Sequence, residues 1–137
     1  MNAGLHVVSG ALFNHKHEVL MGFRKPTGKR PSLWELPGGK VEEGESFEYA
    51  LVREWKEEMN VLVKPYVYVA TAFLDMEVSF HISLYVVRLV TSAMPTACDH
   101  VELRWVDPLH AVEHLPCSPA FYLHWPHLRA WLARMRA

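Results

Sequence analysis

The feature that most constrains this fold is a single amphipathic helical segment with strand-type sequence on both sides. Four large apolar residues recur in it at four-residue steps: Phe47, Leu51, Trp55 and Met59. That period predicts a helix over residues 47–60 with one apolar face. Ser46 is a favourable N-cap, and Asn60 tolerates the left-handed backbone geometry that ends many helices.

Apolar and β-branched runs on both sides of this segment are typical of strands. Strands are expected over residues 6–13, 18–24, 34–36, 61–69, 79–90 and 103–106. The first two strands are separated by a short polar turn, and the third ends at the turn Pro37-Gly38-Gly39. The pattern predicts an α+β domain with a mixed sheet between helices. The length of 137 residues suits one domain spanning residues 1–137.

Two further helices are expected in the last third of the chain. Asp107-Pro108 opens a short helix, with Asp as the cap and Pro at the first helical position. A longer helix is expected over residues 118–135, where Pro126 should kink or break it. Its apolar side is expected to consist of Tyr122, Trp125, Leu128 and Leu132.

Composition excludes several classes of protein. The formal net charge of −1 argues against a generally basic binder of nucleic-acid polymers, and 50% hydrophobic residues argue against a disordered chain. No apolar run approaches the roughly 20 residues that span a bilayer, and the first residues do not resemble a signal peptide. Two cysteines are too few for a disulfide framework. We therefore expect a soluble, cytoplasmic protein, with no membrane partner.

The charges are unevenly distributed. Seven of the 15 acidic residues lie between Glu42 and Glu58, where only Arg53 and Lys56 offset them. A basic run precedes this block: Arg24, Lys25, Lys29 and Arg30. A carboxylate cluster beside basic residues indicates a site for a divalent cation and a phosphate-bearing ligand. Two solvated surface patches are the alternative interpretation.

Three of these carboxylates share a direction on the predicted helix. Glu54, Glu57 and Glu58 are three and four residues apart, so they project from neighbouring positions, where like charges repel. Mg²⁺ would relieve that repulsion, because it takes carboxylate oxygens and shares itself with substrate phosphates. Crowding also separates the carboxyl pKa values, which favours one of them as a general base.

At these residues the sequence resembles a known family. Gly39, five residues, Glu45, seven residues and then the segment from Arg53 to Val61 resemble the Nudix box, Gly-x5-Glu-x7-Arg-Glu-U-x-Glu-Glu-x-Gly-U. Every charged position matches, and Leu33 to Lys40 before it is similar to the MutT-like branch. Asn60 replaces the usual Gly, and Trp55 replaces an aliphatic residue. The resemblance implies a Nudix-type α/β/α sandwich with a mixed, curved β-sheet.

The resemblance also implies a reaction and roles for individual residues. It implies Mg²⁺-dependent hydrolysis of a nucleoside diphosphate linked to a moiety X, with Mn²⁺ as a substitute ion. The metal would be held by the Gly39 carbonyl and by Glu57 and Glu58, and Glu54 would be a ligand or the base that activates water. Arg53 and Glu45 would pair and hold the loop against the helix.

Residues beyond the box supply further candidates. His100 and Glu102 precede Leu103-Arg104-Trp105 at a place where the family often carries a second base or an extra metal ligand. A polar loop is the alternative interpretation of both. His81 is interpreted as a structural histidine, because it lies at the start of an apolar strand. The nine histidines show no metal-ligand spacing.

Substrate contacts are inferred only from the resemblance. It implies contacts with the nucleotide from Arg24, Leu36, Gly38 and Lys40. The main prediction is hydrolysis of a nucleoside triphosphate, (d)NTP, to a monophosphate and pyrophosphate. A nucleotide-sugar or dinucleotide hydrolase and a Nudix-fold nucleotide-binding module are the alternatives. No Asn suited to reading oxidised guanine is found in residues 115–119, and 73–77 lack the Pro typical of ADP-ribose hydrolases. The sequence does not decide between a monomer and a homodimer.

Overall fold

A computed structural model describes residues 4–27 and 31–136. Within these ranges there are seven strands and three helices. The strands are β1 (Leu5–Ala11), β2 (Val19–Arg24), β3 (Trp34–Glu35), β4 (Gly38–Lys40), β5 (Val63–Asp75), β6 (Ser79–Leu89) and β7 (His100–Val106). The helices are α1 (Phe47–Met59), α2 (Pro108–His114) and α3 (Pro119–Met135).

The strands form two sheets. The larger sheet has the order β4-β1-β6-β5; β1 pairs with β6 in parallel, and the other pairs are antiparallel. The smaller sheet is antiparallel, with the order β3-β2-β7. An isolated bridge between Phe13 and Val19 is the link where the chain passes from β1 to β2.

Helices cover both faces of the strands, because adjacent strand residues point to opposite sides. On β2, Leu20 belongs to the core cluster that includes Trp55 of α1, whereas Met21 belongs to the cluster that includes Phe121 and Leu128 of α3. The α+β class and the arrangement of helices on both sides of mixed β structure are therefore confirmed.

The caps of α1 and α2 match the expectations. Ser46 accepts a hydrogen bond from the Tyr49 N–H at the start of α1, and Asn60 ends that helix with φ 53°. Asp107 caps α2 and Pro108 follows at the first position. None of the helices in the described part of the chain is long and apolar enough to cross a membrane.

The expected turn between the first two strands is present, because Phe13 and Val19 on either side of it form an antiparallel bridge, although β1 and β2 lie in different sheets. Two other sequence-based expectations about elements were wrong. Gly38 and Gly39 were expected only to end the third strand, but they begin a further strand, β4, which pairs with β1. In α3, Pro126 does not break the helix, and its buried residues are Phe121, His124, Leu128 and Leu132, whereas Tyr122 is 43% exposed.

Candidate active site

Arg53 is the hub of the loop between β4 and α1. Its Nε and Nη2 donate to the two carboxylate oxygens of Glu45, at 2.6 and 2.8 Å. Nη2 also donates to the Lys40 carbonyl oxygen at 3.0 Å, and Nη1 donates to Glu54 at 3.0 Å and Glu57 at 3.3 Å. A planar guanidinium can satisfy several acceptors at fixed angles, so one side chain sets the position of the loop and of two helix carboxylates.

Glu45 completes this arrangement from the loop side. Its Oε1 accepts a hydrogen bond from the backbone N–H of Glu42 at 2.8 Å, which closes the turn before α1. The hydrogen bonds from Arg53, and then that from Glu42, lower the pKa of the Glu45 carboxyl. The expected pairing of Arg53 with Glu45 is thus present in the structure.

Gly39 lies directly against Glu54. A Cβ atom at Gly39 would overlap the Glu54 carboxylate, so a residue without a side chain brings the β4 backbone and this carboxylate together. Trp55, the next residue of α1, is fully buried and donates from Nε1 to the Pro37 carbonyl oxygen at 3.1 Å. The turn before β4 is therefore anchored to α1 through two consecutive helix residues.

Glu58 points away from Arg53 and toward the small sheet. Its Oε1 lies 3.9 Å from Nε2 of His100, and that nitrogen lies 3.1 Å from Oε2 of Glu35. One ligand atom from each of these three side chains lies within 4.8 Å of the others, so the group could hold a metal ion. Oε2 of Glu58 is buried without a partner among the described residues.

The end of α1 explains how His100 reaches Glu58. The backbone N–H groups of Thr96 and Cys98 donate to the carbonyl oxygens of Met59 and Glu58, each at 3.0 Å. These carbonyls have no partner within the helix. The segment that precedes β7 is thereby fixed to the last turn of α1, and the first residue of β7, His100, follows directly.

The electrostatics of the site are dominated by burial and by neighbouring carboxylates. Burial, and then repulsion from the neighbouring carboxylates, raise the pKa of the Glu58 carboxyl to about 9; these neighbours are Glu54, Glu35, Asp99 and Glu57. Burial also raises the pKa of Glu54, although Arg53 opposes that shift. Carboxylates that lack a compensating cation in this way are typical of a site that takes one from solution.

The donor set fits a hard divalent cation. Half-buried or buried carboxylates at Glu54 and Glu58 lie beside Glu57 and the Gly39 backbone, and one carboxylate oxygen has no partner in the described chain. Oxygen ligands of this kind are those that Mg²⁺ prefers.

Other predicted site residues are distributed around this centre. Arg24 lies 3.7 Å from Glu35 and donates to the Pro31 carbonyl at 3.3 Å. Leu36 is 6% exposed in the core, and Lys40 is exposed. A Cβ at Gly38 would overlap the carbonyl of Val8, so this glycine permits the pairing of β4 with β1.

Two further side chains, Glu102 and His81, do not join this centre. Glu102 forms an exposed ion pair with Arg104 at 2.9 Å and does not join the group formed by His100. His81 packs against the rings of His6 and Phe73, as expected for a structural histidine. Lys29 and Arg30 lie outside the described residues.

Glu35 is a site residue that the sequence reasoning missed. Glu35 is the second residue of the two-residue strand β3. Trp34 before it and Leu36 after it are both buried. The two-residue alternation of a strand therefore places Glu35 on the opposite face. That alternation, directly before the Pro37-Gly38-Gly39 turn, was the signal that could have identified it.

Comparisons with known proteins agree with this geometry. The family model described as the NUDIX domain matches residues 5–126. The chain is 33% identical over 116 residues to the CTP pyrophosphohydrolase of Escherichia coli (strain K12), covering 82% of this chain and 83% of that protein. It is 32% identical over 130 residues to a putative 8-oxo-dGTP diphosphatase 2 of Mycobacterium tuberculosis (strain H37Rv), covering 93% and 84%.

Solved structures give the same result. The solution structure of the E. coli ORF135 protein superposes with a TM-score of 0.77 at 28% identity, covering 97% of this chain and 91% of that one. A structure of a MutT protein from Methanosarcina mazei Go1 has a TM-score of 0.80 at 20% identity, covering 97% and 96%, which shows a shared fold.

Proposed function

We propose, from the premise that this chain belongs to the Nudix hydrolase family, that it is a Mg²⁺-dependent pyrophosphohydrolase of nucleoside triphosphates. The reaction consumes one water and converts the triphosphate into a nucleoside monophosphate and pyrophosphate. The observation that carries the proposal is the Arg53 hub, which joins the loop residue Glu45 to the helix carboxylates Glu54 and Glu57. These contacts bring the loop part and the helix part of the sequence motif together in space.

The roles of the individual residues follow from their surroundings. We assign cation binding to the Gly39 carbonyl and to Glu54, Glu57 and Glu58; a bound divalent cation would neutralise phosphate charge there. Mn²⁺ is the natural substitute, since it accepts the same oxygen ligands. Arg53 and Glu45 hold this set in position.

Glu54 is our choice for the base that accepts the proton of the attacking water. Its carboxylate is 18% exposed and faces the Gly39 turn, so a water can lie beside it. His100 is a poorer choice, because its side chain is 2% exposed and its Nε2 faces Glu35. Glu102 is a poorer choice too, since it is paired with Arg104.

Arg24 and its neighbours are proposed to contact the nucleotide. Arg24 ends β2 at the border of the site and is held by Glu35 and by the Pro31 carbonyl, so its guanidinium is fixed in place. Leu36, Gly38 and Lys40 remain the other proposed contacts. Gly38 would act through its backbone, because its place against β1 leaves no room for a side chain.

The substrate is proposed to be an unmodified nucleoside triphosphate, with CTP as the first to test. The relative named as a CTP pyrophosphohydrolase supports this choice, and residues 115–119 lack an Asn suited to oxidised guanine. Other relatives are named for 8-oxo-dGTP, which is therefore the principal competitor. Residues 1–137 are proposed to form one domain, and the two free cysteines, Cys98 and Cys117, support a cytoplasmic location.

A substrate panel tests the proposal. CTP, dCTP, dGTP, 8-oxo-dGTP, UDP-glucose and ADP-ribose would each be incubated with the protein and Mg²⁺, with and without inorganic pyrophosphatase. We expect phosphate from CTP only when the auxiliary enzyme is present. Phosphate in its absence would contradict pyrophosphate as the product. Cleavage of UDP-glucose or ADP-ribose without cleavage of the triphosphates would favour the nucleotide-sugar alternative. Alkaline phosphatase would detect it by releasing phosphate from the monophosphate products.

A further inference from the structure

We infer that His110 and His114, on the exposed side of α2, together form a binding site for a transition-metal dication. The two histidines are four residues apart in the helix Pro108–His114, and both residues are exposed. Positions four apart on a helix lie on one face, a turn from each other. The inference goes beyond the proposed function, because it uses none of the residues assigned to the reaction.

The spacing of the two rings fits a shared ion. Their centroids lie 5.0 Å apart, with an angle of 41° between the ring planes. A transition-metal ion lies about 2.0–2.1 Å from a histidine nitrogen, which puts each ring centroid roughly 3.2 Å from the ion. Ligand–metal–ligand angles of about 90–110° then separate the two centroids by roughly 4.5–5.2 Å. The observed separation is within this range, so side-chain rotations suffice to direct both rings at one ion.

Neither imidazole has a competing polar partner in the part of the chain that the structure describes. The two rings contact each other, and neither forms a hydrogen bond or an ion pair with a described residue. By contrast, Nε2 of His100 faces Glu35 at 3.1 Å. The ring nitrogens of His110 and His114 are therefore available to an ion from solution, and a neutral imidazole nitrogen is a common metal ligand.

The local charge suits a cation. The chain has no lysine or arginine between Arg104 and Arg129, whereas α2 and its N-cap contribute Asp107 and Glu113. A dication bound to the histidine pair would therefore meet carboxylates and no fixed positive charge on its own helix.

The helix that carries the pair is fixed to the core on its other side. Pro108 and Ala111 are buried, and Ala111 belongs to the core cluster that includes residues of α3. The Ala111 carbonyl oxygen accepts hydrogen bonds from the Leu115 N–H at 3.0 Å and from the Cys117 thiol at 3.5 Å. The two histidines are thus held one turn apart before an ion arrives, so little backbone has to be ordered on binding.

The ligand types decide which ions fit. Two imidazole nitrogens suit Ni²⁺, Cu²⁺ and Zn²⁺, whereas Mg²⁺ takes oxygen ligands. Strand β7 separates the pair from the active-site carboxylates, since it begins at His100 beside Glu58 and ends at Val106 just before α2. A strand of 7 residues spans roughly 20 Å. The histidine pair and the carboxylates should therefore bind their ions independently.

This pair corrects one expectation from the sequence. The histidines were expected to show no metal-ligand spacing, but His110 and His114 have the four-residue spacing of metal ligands on a helix. The signal was present, because Asp107-Pro108 already predicted a helix start directly before them.

Direct metal binding tests the inference without reference to turnover. The protein would be titrated with Ni²⁺ by calorimetry, in excess Mg²⁺ so that the carboxylate ligands are occupied. Ni²⁺ is paramagnetic and broadens the NMR signals of nearby protons. We expect the imidazole resonances of His110 and His114 to broaden before those of the other histidines.

Two variants and a matched control make the result decisive. His110→Gln and His114→Gln should each weaken this Ni²⁺ binding by about tenfold or more, because a single imidazole cannot chelate the ion. His127→Gln, at an exposed histidine of α3, should bind Ni²⁺ as the wild type does. Both site variants change exposed residues, so circular dichroism should show an unchanged fold, and hydrolysis of CTP with Mg²⁺ should equal that of the wild type.

The opposite results concern this site alone. Ni²⁺ binding that is unchanged in both variants would overturn the inference. A loss in only one variant would overturn it too, because a single imidazole would then account for the binding. The proposed function is tested separately, by hydrolysis of CTP with Mg²⁺, and neither of these results bears on it.

Discussion

Arg53 donates to Glu45, Glu54, Glu57 and the Lys40 carbonyl with one guanidinium. Lysine keeps the charge but lacks the planar fork, so Arg53→Lys can satisfy only part of this set. We expect turnover of CTP to fall by about tenfold to a hundredfold, while the protein still folds. Steady-state kinetics would measure this fall, and Arg129→Lys on the exposed side of α3 is the matched control.

A wild-type rate in Arg53→Lys would show that positive charge alone suffices at this position. Holding the loop at Glu45 and the helix carboxylates together through a planar guanidinium would then not be needed for turnover.

Glu58 links activity to stability. Glu58→Gln removes a proposed metal ligand without removing core volume, so turnover should fall by roughly a hundredfold or more.

In the metal-free protein the same change should raise stability at alkaline pH. The pKa of Glu58 is raised from its ordinary 4.5 to about 9 in the fold, so its contribution is fully present below pH 4.5 and is lost as the pH rises through about 9.

Thermal unfolding with a chelator, at pH 6 and pH 8.5, measures the second effect. The wild type should lose more stability between these pH values than Glu58→Gln does. Identical losses would mean that Glu58 is not held in a protonated form by its surroundings.

Some site residues could be predicted from the sequence, and others could not. The Arg53 and Glu45 pairing lies within a local motif whose spacing fixes it, and the structure has this contact. Glu35 and the inward position of His100 depend on β3, β7 and the end of α1 meeting in space. No local pattern encodes that meeting, so Glu102 was as plausible as His100 on sequence alone.

The pairing of β4 with β1 depends on a close backbone approach at Gly38. A Cβ there would overlap the Val8 carbonyl, which belongs to the backbone and cannot rotate away. Gly38→Ala should therefore destabilise the fold by more than about 4 kcal/mol. Gly44→Ala, where φ is +83° and nothing lies within 4 Å, should cost only roughly 1–2 kcal/mol. Urea unfolding of both variants would measure the difference.

Equal and small costs at the two glycines would contradict the close approach of β4 to β1. They would also remove the anchor that places Gly39 beside Glu54.

Helix α3 contains a buried histidine that is not paired. His124 is 1% exposed, and neither ring nitrogen has a partner in the described residues. Burial, and to a lesser degree His127, lowers the pKa of His124 from 6.5 to about 4. The contribution of neutral His124 to the free energy of unfolding is fully present above pH 6.5, and it is lost as the pH falls through about 4. His124→Leu should thus stabilise the protein by on the order of 1–3 kcal/mol, and by more at pH 5 than at pH 7.

Thermal unfolding at both pH values would test this, with the exposed neighbour variant His127→Leu as a control. A His124→Leu protein that is less stable than the wild type at pH 5 would mean that the histidine is paired in solution.

At the level of elements, the sequence predicted the features that depend only on neighbouring residues, such as the helix ends. The caps Ser46, Asn60 and Asp107 were correct because each acts on its own helix end. The division into two sheets was not predictable, because it depends on β1 pairing in parallel with β6, whose paired residues lie 75 positions further along the chain. The burial of His124 in place of Tyr122 was not predicted, because the face of α3 that lies against the core is the one that carries Phe121.

At the scale of the whole molecule, helix α1, which carries most of the site carboxylates, packs against strands of both sheets. Helix α1 carries the carboxylates, the larger sheet brings Gly39 to Glu54, and the smaller sheet brings Glu35 and His100 to Glu58. The basic Arg24 borders the same region and is held by Glu35. A carboxylate centre with a cationic residue at its edge suits a metal-bound polyphosphate, which needs both cation ligands and an anion-binding group.

The most direct test of the central claim is ³¹P NMR of the products formed from CTP, Mg²⁺ and the wild-type protein, with a chelated sample as the blank. We expect resonances of CMP and pyrophosphate in equal amounts, and no conversion in the chelated sample. Formation of CDP with inorganic phosphate, or CTP that stays intact with Mg²⁺ present, would contradict it.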